Sequence, residues 1–198
     1  MLGSRSLRWL TLLFATLPIA CAPEADTADV DGSTGQETAA VDPTPAEGFD
    51  IHVMAPHVVH GKVMGPYHHY CKVISPEPVI QCILFESTGA DAPMTEVEYI
   101  VAKSLTRNLI DREQWNEAWH DHAIEIASGR VQVIGMSDED AQGVVDVVKK
   151  TDGLIFHMWP PGSDIPTGDV SIAQAVSHVA LSAEEWEAHK AALSTAAE

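Results

Sequence analysis

The sequence is poor in basic residues, with 11 Lys and Arg against 29 Asp and Glu among 198 residues and a formal net charge of −18. A chain with so few cations lacks the surface that displaces counterions from phosphates, which argues against nucleic acid and anionic lipid headgroups as partners. Beyond its N-terminal segment the sequence has no apolar run of about 18 residues, the length that would predict an internal membrane span. It also lacks a His-Glu-x-x-His sequence, a nucleophile elbow, a glycine-rich phosphate loop and a zinc-ribbon cysteine pairing, so no familiar motif assigns a reaction.

The N-terminus has the features of a targeting sequence. Residues 1–8 contain two arginines and no acid, and residues 9–20 are apolar but too short to span a bilayer. They end in Leu17-Pro18-Ile19-Ala20-Cys21, which resembles the lipobox of bacterial lipoproteins, although that motif prefers Leu where this chain has Pro18. The alternative is a plain secretory signal followed by an incidental cysteine.

The lipobox resemblance implies that residues 1–20 are a lipoprotein signal peptide and that Cys21 carries the lipid, palmitate included. Ala22, rather than Asp, suits sorting to the outer membrane. We therefore expect a lipid-anchored protein of the bacterial cell envelope, with its domain in the periplasm or at the cell surface. The membrane, reached through the N-terminal lipid, is the expected partner, and the sequence does not identify a protein partner.

Residues 21–50 are predicted to be an acidic, disordered tether. They contain eight acids and no Lys or Arg, and are otherwise mainly Ala, Thr, Gly and Pro. Low hydrophobicity combined with charge of one sign cannot offset the entropy lost on ordering. Residues 51–198 remain, which is enough chain for a single domain that buries roughly two thirds of its unfolded surface.

The pattern of residues 51–198 predicts an α+β fold. Two β-rich runs, 67–74 and 79–86, flank the turn sequence Ser75-Pro76-Glu77-Pro78 and predict a hairpin. A second hairpin is predicted from 119–127 and 130–136, and a buried strand at 153–159. Helical spacing and capping residues predict helices at 94–105, 111–118, 138–150 and 182–196. Because the strands come in pairs, we expect a mainly antiparallel sheet of paired hairpins with three to four packed helices.

The two cysteines of the first hairpin are predicted to face each other. If the turn is centred between Pro76 and Glu77, Cys71 lies opposite Cys82, and His69 lies opposite Leu84. Three explanations remain open at this point: a cross-strand disulfide in an oxidising compartment, two buried thiols that only pack, or a chemical role beside His69 as soft metal ligands or as a nucleophile with its base.

Histidines form the candidate metal set. His120 and His122 share one face of the predicted second hairpin, a common chelating geometry. His69 would join them if the two hairpins meet on one side of the sheet, and His157 lies in an apolar strand, where a hydrogen-bonded core role is the alternative. The candidate ligands of a divalent metal such as zinc are therefore His69, His120, His122 and His157.

Other polar residues are given simpler roles. Glu98 is explained as the partner of Thr95 in a capping box, and Glu125 is predicted to point away from the His120–His122 face. His52, His57 and His60 are interpreted as surface residues.

Several of these residues also carry a family resemblance. The motifs are His68-His69-Tyr70-Cys71, Gln81-Cys82, residues 97–101, Trp119-His120-Asp121-His122, Ser128-Gly129, His157-Met158-Trp159 and residues 162–168. Together, over about residues 52–178, they resemble the domain-of-unknown-function family that includes the plant oil body-associated proteins. The resemblance implies a protein without established enzyme activity whose plant relatives associate with lipid droplets. It transfers no catalytic residue, and because the plant proteins are intracellular, a disulfide cannot be the family-wide reason for the two cysteines.

Three classes of function stay open. The sequence favours a non-enzymatic, membrane-anchored domain that associates with a lipid surface or an envelope partner. The first alternative is a metal-binding domain or metalloenzyme that uses the histidines, and the second is a Cys/His thiol enzyme. No catalytic residue is assigned, and a divalent metal is the one cofactor that the residues suggest.

Overall fold

A computed structural model describes residues 45–195, which form an α+β fold as the sequence predicts. The predicted signal peptide, Cys21 and most of the predicted tether lie outside the described residues. The elements are β1 Ile51–Val59, β2 Lys62–Ser75, β3 Val79–Phe85, β4 Met94–Ala102, α1 Lys103–Leu109, α2 Arg112–Ala118, β5 Trp119–Asp121, α3 His122–Ala127, β6 Gln132–Ile134, α4 Asp138–Val148, β7 Thr151–His157, β8 Ser171–Ala175 and α5 Ala183–Thr195.

Six of the strands close into an antiparallel barrel. They follow the order β2-β3-β4-β7-β8-β1, and β1 pairs with β2 to complete the ring. Short strand β5 adds to β7, and β6 adds to β1. The antiparallel sheet was predicted, whereas the closure into a barrel was not. Closure pairs both edges of the sheet and gives every barrel strand an inward and an outward face.

The first hairpin is confirmed together with its register. Strands β2 and β3 place Cys71 opposite Cys82 and His69 opposite Leu84. The two cysteines are joined by a disulfide, and both are buried inside the barrel. Neither sulfur is therefore a free thiol in this structure.

The helix predicted at residues 94–105 is wrong over most of its length, because residues 94–102 form strand β4. Their burial alternates with a period of two: Glu96, Glu98 and Ile100 point into the barrel, and Val97 and Tyr99 lie on its outer face. Two of these inward positions are occupied by carboxylates instead of apolar residues, so the apolar residues that remain fall by chance at helical spacing. Helix α1 begins only at Lys103.

The second predicted hairpin, 119–136, is also wrong. Strand β5 ends after three residues, because the Asp121 carboxylate accepts a hydrogen bond from the Ala123 N–H and caps helix α3. Strand β6 pairs with β1 instead of β5. Since residues 122–127 are helical, Glu125 lies one turn beyond His122 on the same side, not on the opposite face.

The other predicted helices are confirmed. Helix α2 begins where the Asp111 carboxylate accepts from the Gln114 N–H, and α4 begins where Ser137 accepts from the Asp140 N–H. Helix α5 has a reciprocal capping box between Ser182 and Glu185. The described residues contain five helices where three to four were predicted, and none of these helices is long and apolar enough to cross a membrane.

A second core packs outside the barrel against β5 and β7. Trp115, Trp119, Leu181 and Trp186 form its apolar part. Arg107 is fully buried between the rings of Trp115 and Trp186 and donates two hydrogen bonds, of 2.8 and 2.7 Å, to Asp152. This packing holds β5, and with it His120, against the barrel wall.

Candidate metal centre

The candidate site is built around Glu98, which projects from β4 into the barrel and is 2% exposed. An isolated carboxylate buried to this extent is strongly unfavourable unless charged or hydrogen-bonding groups compensate it. Imidazoles from three other elements provide that compensation. Their approach explains why a glutamate is tolerated where an apolar residue would normally fill a barrel.

Three histidines converge on the Glu98 carboxylate. The Nε2 atoms of His122 and His120 lie 3.2 and 3.4 Å from Oε1, and the Nε2 atom of His69 lies 3.4 Å from Oε2. One donor atom from each of Glu98, His120 and His122 forms a group in which all atoms lie within 4.8 Å of one another. The Glu125 Oε2 atom borders this group at 3.8 Å from His120 and 3.9 Å from His122.

The hydrogen bond at the far side of His122 fixes which nitrogen faces Glu98. The Thr151 hydroxyl donates its single hydrogen to the Val148 carbonyl at 2.6 Å, so it must accept at 2.9 Å from the Nδ1–H of His122. In the neutral imidazole the Nε2 lone pair therefore points at the carboxylate. Orientation of a ligating imidazole through its other nitrogen is the usual arrangement in metal sites.

His120 is oriented differently. Within the part of the chain that the structure describes, its buried Nδ1 atom has no hydrogen-bond partner. Its ring is placed by the backbone instead, because His120 lies opposite Gly153 in the β5–β7 ladder. A Cβ atom added to Gly153 would lie 2.4 Å from His120 Nε2 and 2.5 Å from Glu98 Oε1. The absence of a side chain at Gly153 is therefore what allows these two groups to approach each other.

A second buried cluster lies two residues away on the same strand. Glu96 accepts a hydrogen bond from His57 Nδ1 at 2.7 Å and another from His157 Nδ1 at 2.8 Å. His57 joins this second cluster to the first, since its Nε2 atom lies 3.1 Å from the Nε2 atom of His69. His69 in turn donates from Nδ1 to the Tyr67 carbonyl at 3.0 Å.

Burial and charge shift the pKa values of the groups around Glu98. Burial alone would raise the pKa of Glu98, but hydrogen bonds from His120 and His122 hold that pKa well below its usual range. Burial would lower the pKa of His122, yet the hydrogen bond and charge of Glu98 raise it above the ordinary value. Burial, and then the charge of His57, lower the pKa of His69 to about 4. A metal at Glu98 would therefore meet an ionised carboxylate, and its binding would compete with protonation of His122.

The structure brings together three of the four histidines proposed as ligands. His120 and His122 share one oxygen of Glu98, and His69 reaches the other oxygen. His157 lies on Glu96 instead, as a hydrogen-bonded core residue. Cys71 and Cys82 form the disulfide described above, and Cys21 lies outside the described residues.

Sequence reasoning misassigned three residues in or beside the two clusters and missed a fourth. His57 was interpreted as a surface residue but is 1% exposed. Glu98 was assigned to a capping box, Glu125 to the wrong face, and Glu96 to no role. The missed signal was the alternation Glu96-Val97-Glu98-Tyr99, in which two acids occupy the same face of a strand.

Two of the three separations between the donor atoms suit a metal ion. With metal–ligand bonds of about 2.0–2.1 Å, tetrahedral ligands lie roughly 3.3 Å apart. The separations of 3.2 and 3.4 Å from Glu98 Oε1 to the two imidazoles agree with this value. Two histidines and one carboxylate are the protein ligands of many catalytic zinc sites and of Fe(II) sites with open positions.

Fold and site together define a closed antiparallel β-barrel with buried imidazole–carboxylate clusters in its interior. The chain belongs to the family described as Protein of unknown function (DUF1264), whose model matches residues 43–194. This membership confirms the resemblance drawn from the sequence motifs.

The curated relatives found for this chain are oil body-associated proteins of plants. The chain is 31% identical over 112 residues to Oil body-associated protein 1B of Arabidopsis thaliana, covering 56% of this chain and 45% of that protein. It is 33% identical over 103 residues to Oil body-associated protein 1A of Zea mays, covering 51% of this chain and 42% of that protein. It is 40% identical over 106 residues to Oil body-associated protein 2A of Zea mays, covering 51% of this chain and 40% of that protein. The chain thus spans less than half the length of these relatives. No solved structure matches the chain.

Proposed function

We propose that the barrel is a metal-binding domain in which Glu98, His120 and His122 hold one divalent transition ion of the zinc class. The observation that carries the proposal is the convergence of three buried donor atoms within 4.8 Å. When bound, such an ion would act as a Lewis acid or would activate a water molecule. The residues of this chain would position the ion and exclude bulk solvent from it.

The alternative is a hydrogen-bonded core without a metal, and the two buried carboxylates of β4 help to separate the two cases. Glu96 lies 2.7 and 2.8 Å from its two imidazoles, the range of charge-assisted hydrogen bonds. Glu98 lies 3.2 to 3.4 Å from its three imidazoles, which is long for such bonds and close to the spacing of ligands around an ion. The difference between two equivalent groups on one strand favours a metal at Glu98 and protons at Glu96.

Metal analysis of the purified protein tests this proposal. We expect about one zinc-class ion per chain in the wild type and a loss of at least about tenfold in metal content in Glu98→Gln and His122→Ala. Glu96→Gln is the matched control, because it makes the same change two residues away on the same face of β4. Circular dichroism would establish that each variant is folded. A wild type without bound metal, or a Glu98→Gln protein that retains it, would contradict the proposal.

A further control addresses adventitious binding at the surface. The half-buried pair His52 and His68, with ring nitrogens 3.0 Å apart, lies outside the cluster and could chelate a metal during purification. We expect His52→Ala to leave the stoichiometric ion in place.

We also propose that the domain is held at the cell envelope as a lipoprotein through Cys21. The support is the leader sequence, which ends in the lipobox-like residues 17–21 and continues into an acidic segment. The relatives are named for association with oil bodies, and for this chain we propose a lipid-anchored position at a membrane. Metabolic labelling with palmitate should mark the wild type and not Cys21→Ala. An unlabelled wild type, or equal labelling of the two proteins, would end this proposal.

The proposal does not include a thiol enzyme. Cys71 and Cys82 are bonded to each other and are 2% and 0% exposed. A nucleophilic thiolate needs a free and accessible sulfur.

A further inference from the structure

Helix α4 covers the barrel without burying its own apolar face. Val144, Val145 and Val148 lie on the side that faces the sheet, yet no residue of α4 is buried. A helix with three valines on one face normally packs that face into the core. Here the space beneath the helix is open.

Two adjacent cavities with a common wall lie in that space. The cavity next to the cluster has a volume of about 30 Å³, and the one nearer the surface has a volume of about 240 Å³. The larger cavity is close to the lower limit of about 300 Å³ for small-molecule sites, and the smaller one has room for a single water-sized group. The cavities share a wall formed by Val53, Cys71, Ile100, Val144 and Val148.

The cavities run from the surface to the candidate metal centre. The outer cavity is bordered by Val73 and Val147, which are 50% and 45% exposed. The inner cavity is lined by apolar side chains and, at its end, by cluster members that include Glu98, His122 and Glu125. The route is therefore apolar along its length and polar only where it meets the cluster.

We infer that this passage binds a small aliphatic molecule with one neutral oxygen donor at its end. The chain of the molecule would lie against the valines of α4 and the sheet, and its oxygen would reach the coordination position that the three protein ligands leave open. The head is neutral because Glu98 and Glu125 already balance the two positive charges of a divalent ion, so an anionic head would leave a net negative charge at the buried inner end. The head-group contact rests on the proposed metal site, whereas the binding of the aliphatic chain does not.

Calorimetric titration of the full metal-loaded chain with octan-1-ol tests the inference. We expect saturable binding of one molecule per chain, and binding of octanoate that is at least about tenfold weaker, since the two probes differ mainly in the charge of the head. This comparison uses only the wild-type protein and so does not depend on the folding of a variant. Octan-1-ol that fails to saturate, or octanoate that binds equally well, would overturn the inference.

Variants of α4 locate the binding site. Val144 lies in the wall shared by the two cavities, so the larger side chain of Val144→Trp should fill the space beside it and weaken octan-1-ol binding at least about tenfold. Gln142→Trp, on the exposed side of the same helix, should leave this binding unchanged. Unchanged binding in a folded Val144→Trp protein would overturn the inference.

The metal content of the same samples separates the two proposals. If the wild type lacks metal but octan-1-ol still binds and Val144→Trp abolishes binding, the metal proposal fails and the aliphatic site stands. If metal is stoichiometric in both proteins but octan-1-ol does not bind, the aliphatic site fails alone.

Discussion

Gly153→Ala should damage the candidate metal centre although it adds only one methyl group. The new Cβ would lie 2.4 Å from His120 Nε2 and 2.5 Å from Glu98 Oε1. Normal contacts of this kind are about 3.5 Å, so each group would have to retreat by roughly 1 Å. Both groups are buried and neither can move into solvent. We expect destabilisation by about 1–3 kcal/mol, the usual cost of overpacking a core, and metal affinity at least about tenfold weaker.

The measurement combines urea denaturation with metal titration of the apoprotein. Gly143→Ala on α4 is the matched control, because a Cβ there meets nothing within 4 Å and should stabilise the helix by about 0.5–1 kcal/mol. Phi angles do not explain the expected difference, since neither glycine has the positive φ that disfavours alanine. A Gly153→Ala protein with wild-type stability and wild-type metal affinity would refute the packing argument.

The remaining predictions concern stability. Asp152→Asn should destabilise the domain by about 1–3 kcal/mol in urea denaturation, because it removes the closer of the two carboxylates that pair with the buried Arg107 guanidinium and leaves Asp121 at 3.3 Å; an effect below about 0.5 kcal/mol would contradict this. Replacing Cys71 and Cys82 together by Ala should lower stability by about 2–4 kcal/mol, since the disulfide closes a loop across 11 positions of sequence; equal thermal stability of the two proteins would contradict it. Ser182→Ala should destabilise α5 by about 0.5–2 kcal/mol through loss of its N-cap, measured by thermal melting, and an unchanged melting temperature would count against it.

The sequence was sufficient to predict those parts of the fold that depend on local turn and capping residues. The turn Ser75-Pro76-Glu77-Pro78 and its β-branched flanks predicted the first hairpin and its register, including the pairing of Cys71 with Cys82. The capping residues Asp111 and Ser182 predicted the starts of α2 and α5. These features depend on a few neighbouring residues and need no knowledge of the rest of the chain.

The sequence failed where the fold places polar groups inside the barrel. Strand β4 was predicted as a helix because Glu96 and Glu98 occupy its inward positions, which removes the apolar alternation that identifies a strand. His57 was assigned to the surface because it precedes the first predicted strand, whereas it faces inward from β1. The polar residues of a buried cluster interrupt the apolar alternation of the strands that carry them. The positions where the pattern predicted the wrong structure therefore coincide with the candidate site.

The candidate site itself was predictable only in part. His69, His120 and His122 were recognised by residue type, and the structure brings all three to one carboxylate. Glu98 could not be assigned, because its role depends on the barrel closing around it. The contribution of Glu125 depended on α3 beginning at His122, which followed from the cap formed by Asp121.

The most direct test of the metal centre is anomalous diffraction from crystals of the protein as purified, recorded across the absorption edges of zinc and iron. We predict one strong anomalous peak within about 2 Å of Glu98 Oε1 and of the Nε2 atoms of His120 and His122, the usual length of metal–ligand bonds. A peak confined to the surface pair His52 and His68, or no peak within the barrel, would contradict the account.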